Sequence, residues 1–273
     1  MKSYHTKIII YILLTVISLA MVFPFAWMVL TSLKTQAESI AVPPKLLPAS
    51  PQWANYLNVW RQIPLLRYFL NTVIVTVLTL LGVLITSTLG AFAFSFKEFK
   101  GRDATFMALL AMMMIPQPVY LVPAYVILAK LHWLDTFYAM IVPWVVNILS
   151  VFLVRQHFKT VPFSLYEAAK MDGAGDLQFI WHVLLPISKP VLVTVSLFSI
   201  IGSWNSFLWP LIVTNSEQMR PVQVGLAYFS QEQGSLWPSL MAASTMVILP
   251  LIIFYILAQK QITQSFVSSG IKE

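Results

Sequence analysis

Phe69–Phe94 reads FLNTVIVTVLTLLGVLITSTLGAFAF, a run without one Asp, Glu, Lys or Arg. A helix rising about 1.5 Å per residue crosses a hydrocarbon layer roughly 30 Å thick in about 20 residues, so this run is long enough to span a bilayer. A barrel strand would instead show about ten residues of alternating polarity. Working outward, five more charge-free runs satisfy the same rule: Ile8–Leu30, Ala104–Leu128, Phe137–Val154, Val191–Ile212 and Leu240–Ala258. The expectation is an all-α polytopic membrane protein with six transmembrane helices.

Composition agrees. The 273 residues are 58% hydrophobic and 10% charged, against roughly a quarter charged in soluble domains, and mean hydropathy is +0.78. Cysteine is absent, which removes disulfides and thiolate metal sites. The net charge of +7 acquires meaning from sidedness. With the amino terminus cytoplasmic, 11 of the 17 Lys and Arg fall inside, and Lys34, Lys45, Arg61, Arg67, Lys130 and Arg220 fall outside in the longer loops. This is the positive-inside pattern; it puts both termini in the cytoplasm and makes nucleic acid an improbable partner, with membrane lipid the surrounding solvent. Lys2 and Lys7 precede the first run as in a signal peptide, but that run is too long and lacks a nearby cleavage box, so it reads as a retained anchor. Pro24, Pro116, Pro118, Pro123, Pro143, Pro210 and Pro250 should kink helices.

The absence of Asp, Glu, Lys, Arg and His from the spans leaves no proton relay, paired carboxylates or metal set within them. The loop at 156–189 stands apart in its length and mixed polarity. Ser164 followed three residues later by Glu167 predicts a capping box and a helix start. Ala168 and Ala169 favour the helix, and Gly173 and Gly175 can supply the positive φ that ends it. From Asp176 a second helical stretch should bring Phe179, Ile180, Val183 and Leu184 to one face before Pro186 and Pro190. So short a helical hairpin needs something to pack against; an amphipathic interfacial hairpin is the plainer alternative.

Glu167-Ala168-Ala169, then Asp172-Gly173-Ala174, then Leu185-Pro186 resembles the EAA loop of permease subunits of bacterial ATP-binding-cassette (ABC) importers. Trp204-Asn205-Ser206-Phe207-Leu208-Trp209-Pro210 and the final Ser269-Gly270-Ile271-Lys272 are similar to its maltose-type carbohydrate branch, and the likeness runs from the Lys97 to Arg102 loop onward. The resemblance implies a type I importer transmembrane domain with a cytoplasmic coupling helix, in the bacterial inner membrane. It implies a second permease subunit as partner, two cytoplasmic ATPase subunits that bind ATP and Mg, and an extracytoplasmic solute-binding protein, with no cofactor on this chain. It assigns coupling to Glu167, Ala168, Ala169, Asp172, Gly173, Ala174 and Pro186, with Glu167 also holding the loop fold.

Asn71, Ser203, Trp204, Asn205, Ser206 and Trp209 are candidates for the translocation path, since aromatic faces beside amides and hydroxyls suit a sugar, although polar residues in spans often only join helices. Trp53, Tyr56, Trp60 and Tyr68 read as interfacial aromatics or as a docking face for the solute-binding protein. The chain divides into 1–68, an anchor and first external loop; 69–260, the transport core; and 261–273, a cytoplasmic tail. No Walker loop, G-x-x-x-x-G-K-[ST], is present, so no ATP hydrolysis is expected of this chain. The competing expectation is a self-sufficient secondary carrier or channel for a small polar solute.

Overall fold

The computed structural model describes residues 2–232 and 236–270. Ile271, Lys272 and Glu273, part of the tail that carries the family likeness, lie outside the described residues. Among the described residues every regular element is helical.

The backbone divides into two compact units, one of residues 1–66 with 225–252, the other of 67–224 with 253–273. In the first, α1 (Lys2–Ser32) carries the apolar stretch Thr6–Ser32, exposed along most of its length and buried only at Thr31 and Ser32. Two short helices follow, α2 (Gln36–Ser39) and α3 (Ala54–Gln62). Thr35 and Glu38 form a reciprocal capping box on α2, and Glu38 also accepts from the Ala49 amide at 3.0 Å. The Lys34 side chain is buried where α1 ends, donating to the Lys45 carbonyl at 2.6 Å and lying 4.2 Å from the Trp27 ring.

The second unit is built on α4 (Leu65–Phe96), a helix that outruns the charge-free stretch at both ends and takes in Arg67. Three of the predicted spans are interrupted. Ala104–Leu128 is two helices, α5 (Arg102–Met112) and α6 (Gln117–Lys130), bent by 101°. Ile115-Pro116-Gln117-Pro118 explains the bend, because a residue before proline avoids the α region and the second proline sits at the start of α6. Phe137–Val154 comprises α7 (Phe137–Ile141), a 3-10 turn at Val142–Trp144 and α8 (Ile148–Phe158). The loop segment forms α9 (Phe163–Met171), α10 (Asp176–Phe179), a π-helical turn at Ile180–Leu184 and α11 (Leu185–Ile187). The last stretch meets α12 (Lys189–Trp204) at 85°. Val191–Ile212 is therefore also divided, with α12 ending at Trp204 and α13 (Leu208–Val213) following. The chain continues through α14 (Val222–Glu232) to α15 (Trp237–Gly270), whose helix runs well past the apolar stretch Trp237–Leu257.

Irregular backbone is tolerated at membrane depth only where protein buries it or a cavity receives it. Both conditions are met at the break in the fourth span. Gly82 lets α4 approach so closely that a Cβ there would lie 2.5 Å from Val145, and the Thr86 hydroxyl, one turn on, donates to the freed Val145 carbonyl.

Candidate functional site

The loop hairpin is the first site. α9 starts two residues earlier than its sequence suggests: Pro162 is the N-cap, Ser164 lies inside the first turn, and the predicted Ser164–Glu167 box does not form. Proline supplies a preset φ that opens the helix without a side-chain cap. The other end follows the expected chemistry. Gly173 has φ +81°, its amide donates to the Lys170 carbonyl at 3.0 Å, and the Ala174 amide donates to Ala169 at 2.9 Å, the paired bonds of a Schellman stop. Gly175 departs from expectation: its φ is −71° and it caps α10, donating its amide to Gln178 Oε1 at 2.8 Å.

Glu167 is exposed, and the bonds that hold the loop run through Asp176 instead. Its carboxylate lies 2.8 Å from Lys170 Nζ and 2.7 Å from Lys97 Nζ, and it accepts from the Tyr166 hydroxyl at 2.9 Å. Lys97 Nζ also donates to that hydroxyl at 2.7 Å. Lys170 first, then Lys97 and Tyr166, hold the Asp176 carboxyl well below the usual carboxylate range. Beneath this cluster the buried Tyr166 ring packs 5.1 Å from Phe179 and 5.5 Å from Phe96. Phe179, Ile180 and Leu184 are buried and Val183 packs against them, the single face read from sequence. The hairpin is thus clamped to the end of α4, while Met171, Leu177 and Trp181 project outward at 84%, 71% and 70% exposure. Ala168 and Asp172 are exposed with them, and Pro186 opens α11.

Beside the clamp, Arg155 is buried at the end of α8, its guanidinium 3.8 Å from the Phe106 ring and within 3.5 Å of Asp103, with Nε donating to the Phe94 carbonyl at 3.2 Å. Sequence reasoning missed Lys97, Arg155 and Asp176 as members of this assembly; the partners of Lys97 and Arg155 lie too far along the chain to leave a spacing signal, whereas Asp176 meets Lys170 and Tyr166 nearby in sequence but across the turn.

The second site is a cavity of about 680 Å³ in the second unit. The broken backbone lines it: Asn147 comes from the interruption before α8, and Asn205, Ser206 and Phe207 from the one between α12 and α13. Of the six path candidates, Ser203, Asn205, Ser206 and Trp209 reach the cavity; Asn71 and Trp204 do not. Asn71 is buried and donates to the carbonyls of Gln218 and Arg220 at 2.8 and 3.0 Å, bracing the segment before α14. Trp204 is buried against Phe69, ring centroids 6.2 Å apart. Trp209 is 2% exposed and serves as a support, its indole bonded to the Ala139 carbonyl and its ring edge-on to Trp144 at 5.8 Å. The half-buried Trp144, with Phe198, supplies aromatic lining that the sequence reading overlooked. Thr72 and Thr79, seven residues apart on one face of α4, were legible as a polar stripe.

Near one end of α13, Asp135 accepts from the amides of Asn215 and Ser216 at 2.9 and 3.0 Å and donates its own amide to the Val213 carbonyl at 2.7 Å. Burial works to raise its pKa, and the hydrogen bonds outweigh burial and lower it. Tyr68, read as an interfacial aromatic, is fully buried and donates to Glu217 at 3.3 Å, whereas Trp53 and Trp60 are exposed.

Interrupted apolar helices around an uncharged cavity, with a hairpin clamped to the end of α4, define a membrane permease. Residues 82–267 match the family described as binding-protein-dependent transport system inner membrane component. A putative ABC transporter permease protein ORF2 of Caldicellulosiruptor sp. is 34% identical, with 98% of each chain covered. The arabinooligosaccharides transport system permease protein AraQ of Bacillus subtilis is 28% identical over 94% of this chain and 92% of its own. Among solved structures, a bacterial ABC transporter involved in the import of the acidic polysaccharide alginate superposes with a TM-score of 0.84 at 26% identity, covering 95% of this chain and 97% of that one. The chain belongs to the binding-protein-dependent transport system inner membrane component family. It is an integral inner-membrane permease subunit of an ABC importer, and its family is one of transport proteins rather than enzymes.

Proposed function

We propose that this permease forms half of the translocation path for a sugar or sugar-like solute and is driven through the α9–α10 hairpin. The observation that carries the reading is the clamp. Tyr166, Asp176, Lys97 and Lys170 join the hairpin to the end of α4, so a force on its outer face reaches a spanning helix without an intervening flexible link.

Of two cytoplasmic ATPase subunits, binding ATP and Mg, one docks on that face, where Met171, Leu177 and Trp181 stand exposed together with Glu167, Ala168 and Asp172. A second permease completes the path, and an extracytoplasmic solute-binding protein delivers the solute. Both termini lie in the cytoplasm, in keeping with the bias of Lys and Arg. Residues 69–260 constitute the transport core, preceded by an anchor and external loop at 1–68 and followed by a tail at 261–273. The sugar assignment rests on the relatives named for arabinooligosaccharide and alginate transport.

A cysteine introduced at Ala169 tests the docking. It should cross-link to a Walker-containing subunit in native membranes, with a yield that changes when ATP binds. A hairpin that cross-links to no ATPase, in a complex that still imports, removes the proposal.

A further inference from the structure

The cavity is uncharged, and its largely apolar wall carries a minority of polar groups. Thr72, Thr79, Gln117, Asn147, Ser199 and Ser203 line it with hydroxyls and amides, and no ionisable side chain occurs among its described lining residues. The nearest cation in sequence, Arg220, follows the bend beside Pro221 but is turned to the Asn215 carbonyl at 3.3 Å and is not part of the lining. An acidic solute entering here would give up hydration without gaining a counter-charge.

Two hydroxyls in the wall lack a partner. Thr79 Oγ1, on a residue 5% exposed, and Ser199 Oγ are buried with no hydrogen bond in the chain. Asn147 accepts the backbone amide and hydroxyl of Ser150 on its carbonyl oxygen, both at 2.9 Å, so its amide donors remain for a ligand. Trp144 and Phe198 add aromatic surface, suited to sugar C–H groups, to the same wall. The cavity's size falls within the few hundred to about 1,000 Å³ usual for small-molecule sites.

We infer that this cavity is a subsite for an uncharged hydroxylated solute, a neutral oligosaccharide or polyol, and that it discriminates against uronates and sugar phosphates. The inference rests on the reading of the cavity as part of the translocation path. It separates this chain from the solved neighbour, whose described solute is an acidic polysaccharide.

The test uses the assembled transporter in lipid nanodiscs, without its solute-binding protein, and measures direct binding of uncharged trisaccharides and of their uronic-acid counterparts of matched linkage. The wild type should bind a neutral member at least about tenfold more tightly than its uronate partner. Thr79→Lys should reduce that ratio by about tenfold or invert it. Ser203→Lys, at a half-buried position, provides the same reading if the first variant fails to assemble. Equal binding of both classes, lysine variants that leave the ratio unchanged, or no binding of any saccharide overturns the inference. Nucleotide-dependent cross-linking at residue 169, measured on the same preparation, distinguishes the two failures: if it persists, only the subsite is lost; if it is absent, the transport reading beneath it is lost too.

Discussion

The indole of Trp209 donates to the carbonyl of Ala139 at 2.9 Å, and Ala139 is the residue whose helical donor Pro143, four positions on, cannot supply. One proline opens the fourth span, and a tryptophan from α13 closes the resulting deficit. The same break places Trp144 and Asn147 in the cavity wall. The tryptophan that the sequence offers as a sugar platform is thus the member that keeps the broken helix satisfied.

Trp209→Phe should leave that carbonyl orphaned and destabilise the assembled transporter by about 1–3 kcal/mol, the cost of a buried unpaired polar group. Thermal unfolding of the complex measures it. Adding Pro143→Ala restores a backbone donor, so the double variant should recover part of the lost melting temperature. Additive losses would remove the link between the two residues.

Gly173 occupies φ +81° in open space, with no atom within 4 Å of the position a β-carbon would take, so substitution there acts through the backbone alone. A left-handed residue other than glycine costs roughly 1–2 kcal/mol, most for β-branched side chains and least for asparagine. Gly173→Val should therefore reduce solute uptake by about tenfold while ATP hydrolysis by the complex persists, and Gly173→Asn should stay near wild type. Paired uptake and phosphate-release assays provide the measurement; a valine variant that couples normally would deny the turn its role.

The Asp176 carboxyl lies below its ordinary value of 3.8 because of Lys170, Lys97 and Tyr166. Since the folded pKa is depressed, its contribution is fully present above the ordinary value and is lost as pH falls toward the folded one. Loop amides at Gly173 and Ala174 should accordingly gain exchange, corrected for intrinsic rates, only below about pH 4. Asp176→Asn should show the faster exchange already at pH 7, with little further change on acidification. Protection in that variant equal to the wild type at pH 7 would count against the clamp.

Gly82 is a steric requirement rather than a conformational one. Its missing Cβ would stand 2.5 Å from the Val145 side chain and 2.7 Å from its Cβ, so Gly82→Ala must push α4 from the broken span. A destabilisation of about 1–3 kcal/mol is expected, together with weaker solute binding because both elements line the cavity. Val145→Ala, which removes the nearest methyl, should relieve part of the loss; melting curves of the single and double variants decide the matter.

The hairpin shows how much of the site was legible. Its glycine stop and the apolar face of Phe179, Ile180 and Leu184 follow from local chemistry and helical spacing, and both appear as read. Its cap and its clamp did not. Pro162 competes with Ser164 for the same few residues and takes the cap, and Lys97 meets Asp176 across a long stretch of chain. The cavity divides in the same way: Ser203, Asn205 and Ser206 stand in the sequence as polar interruptions, whereas Asn147 and Trp144 enter only because the fourth span breaks.

By itself the sequence determined the solvent, the helical class and the position of the loop hairpin. Continuous charge-free runs must be helical in lipid, where every backbone group needs an internal partner, and that condition can be read from residues close together in the chain. Only the tertiary structure decided where those helices break, which tryptophan supports and which side chain faces the cavity, and which carboxylate holds the hairpin. A freed carbonyl or a hairpin carboxylate is satisfied by whatever donor packing brings within about 3 Å, and packing joins residues that sequence distance leaves unrelated.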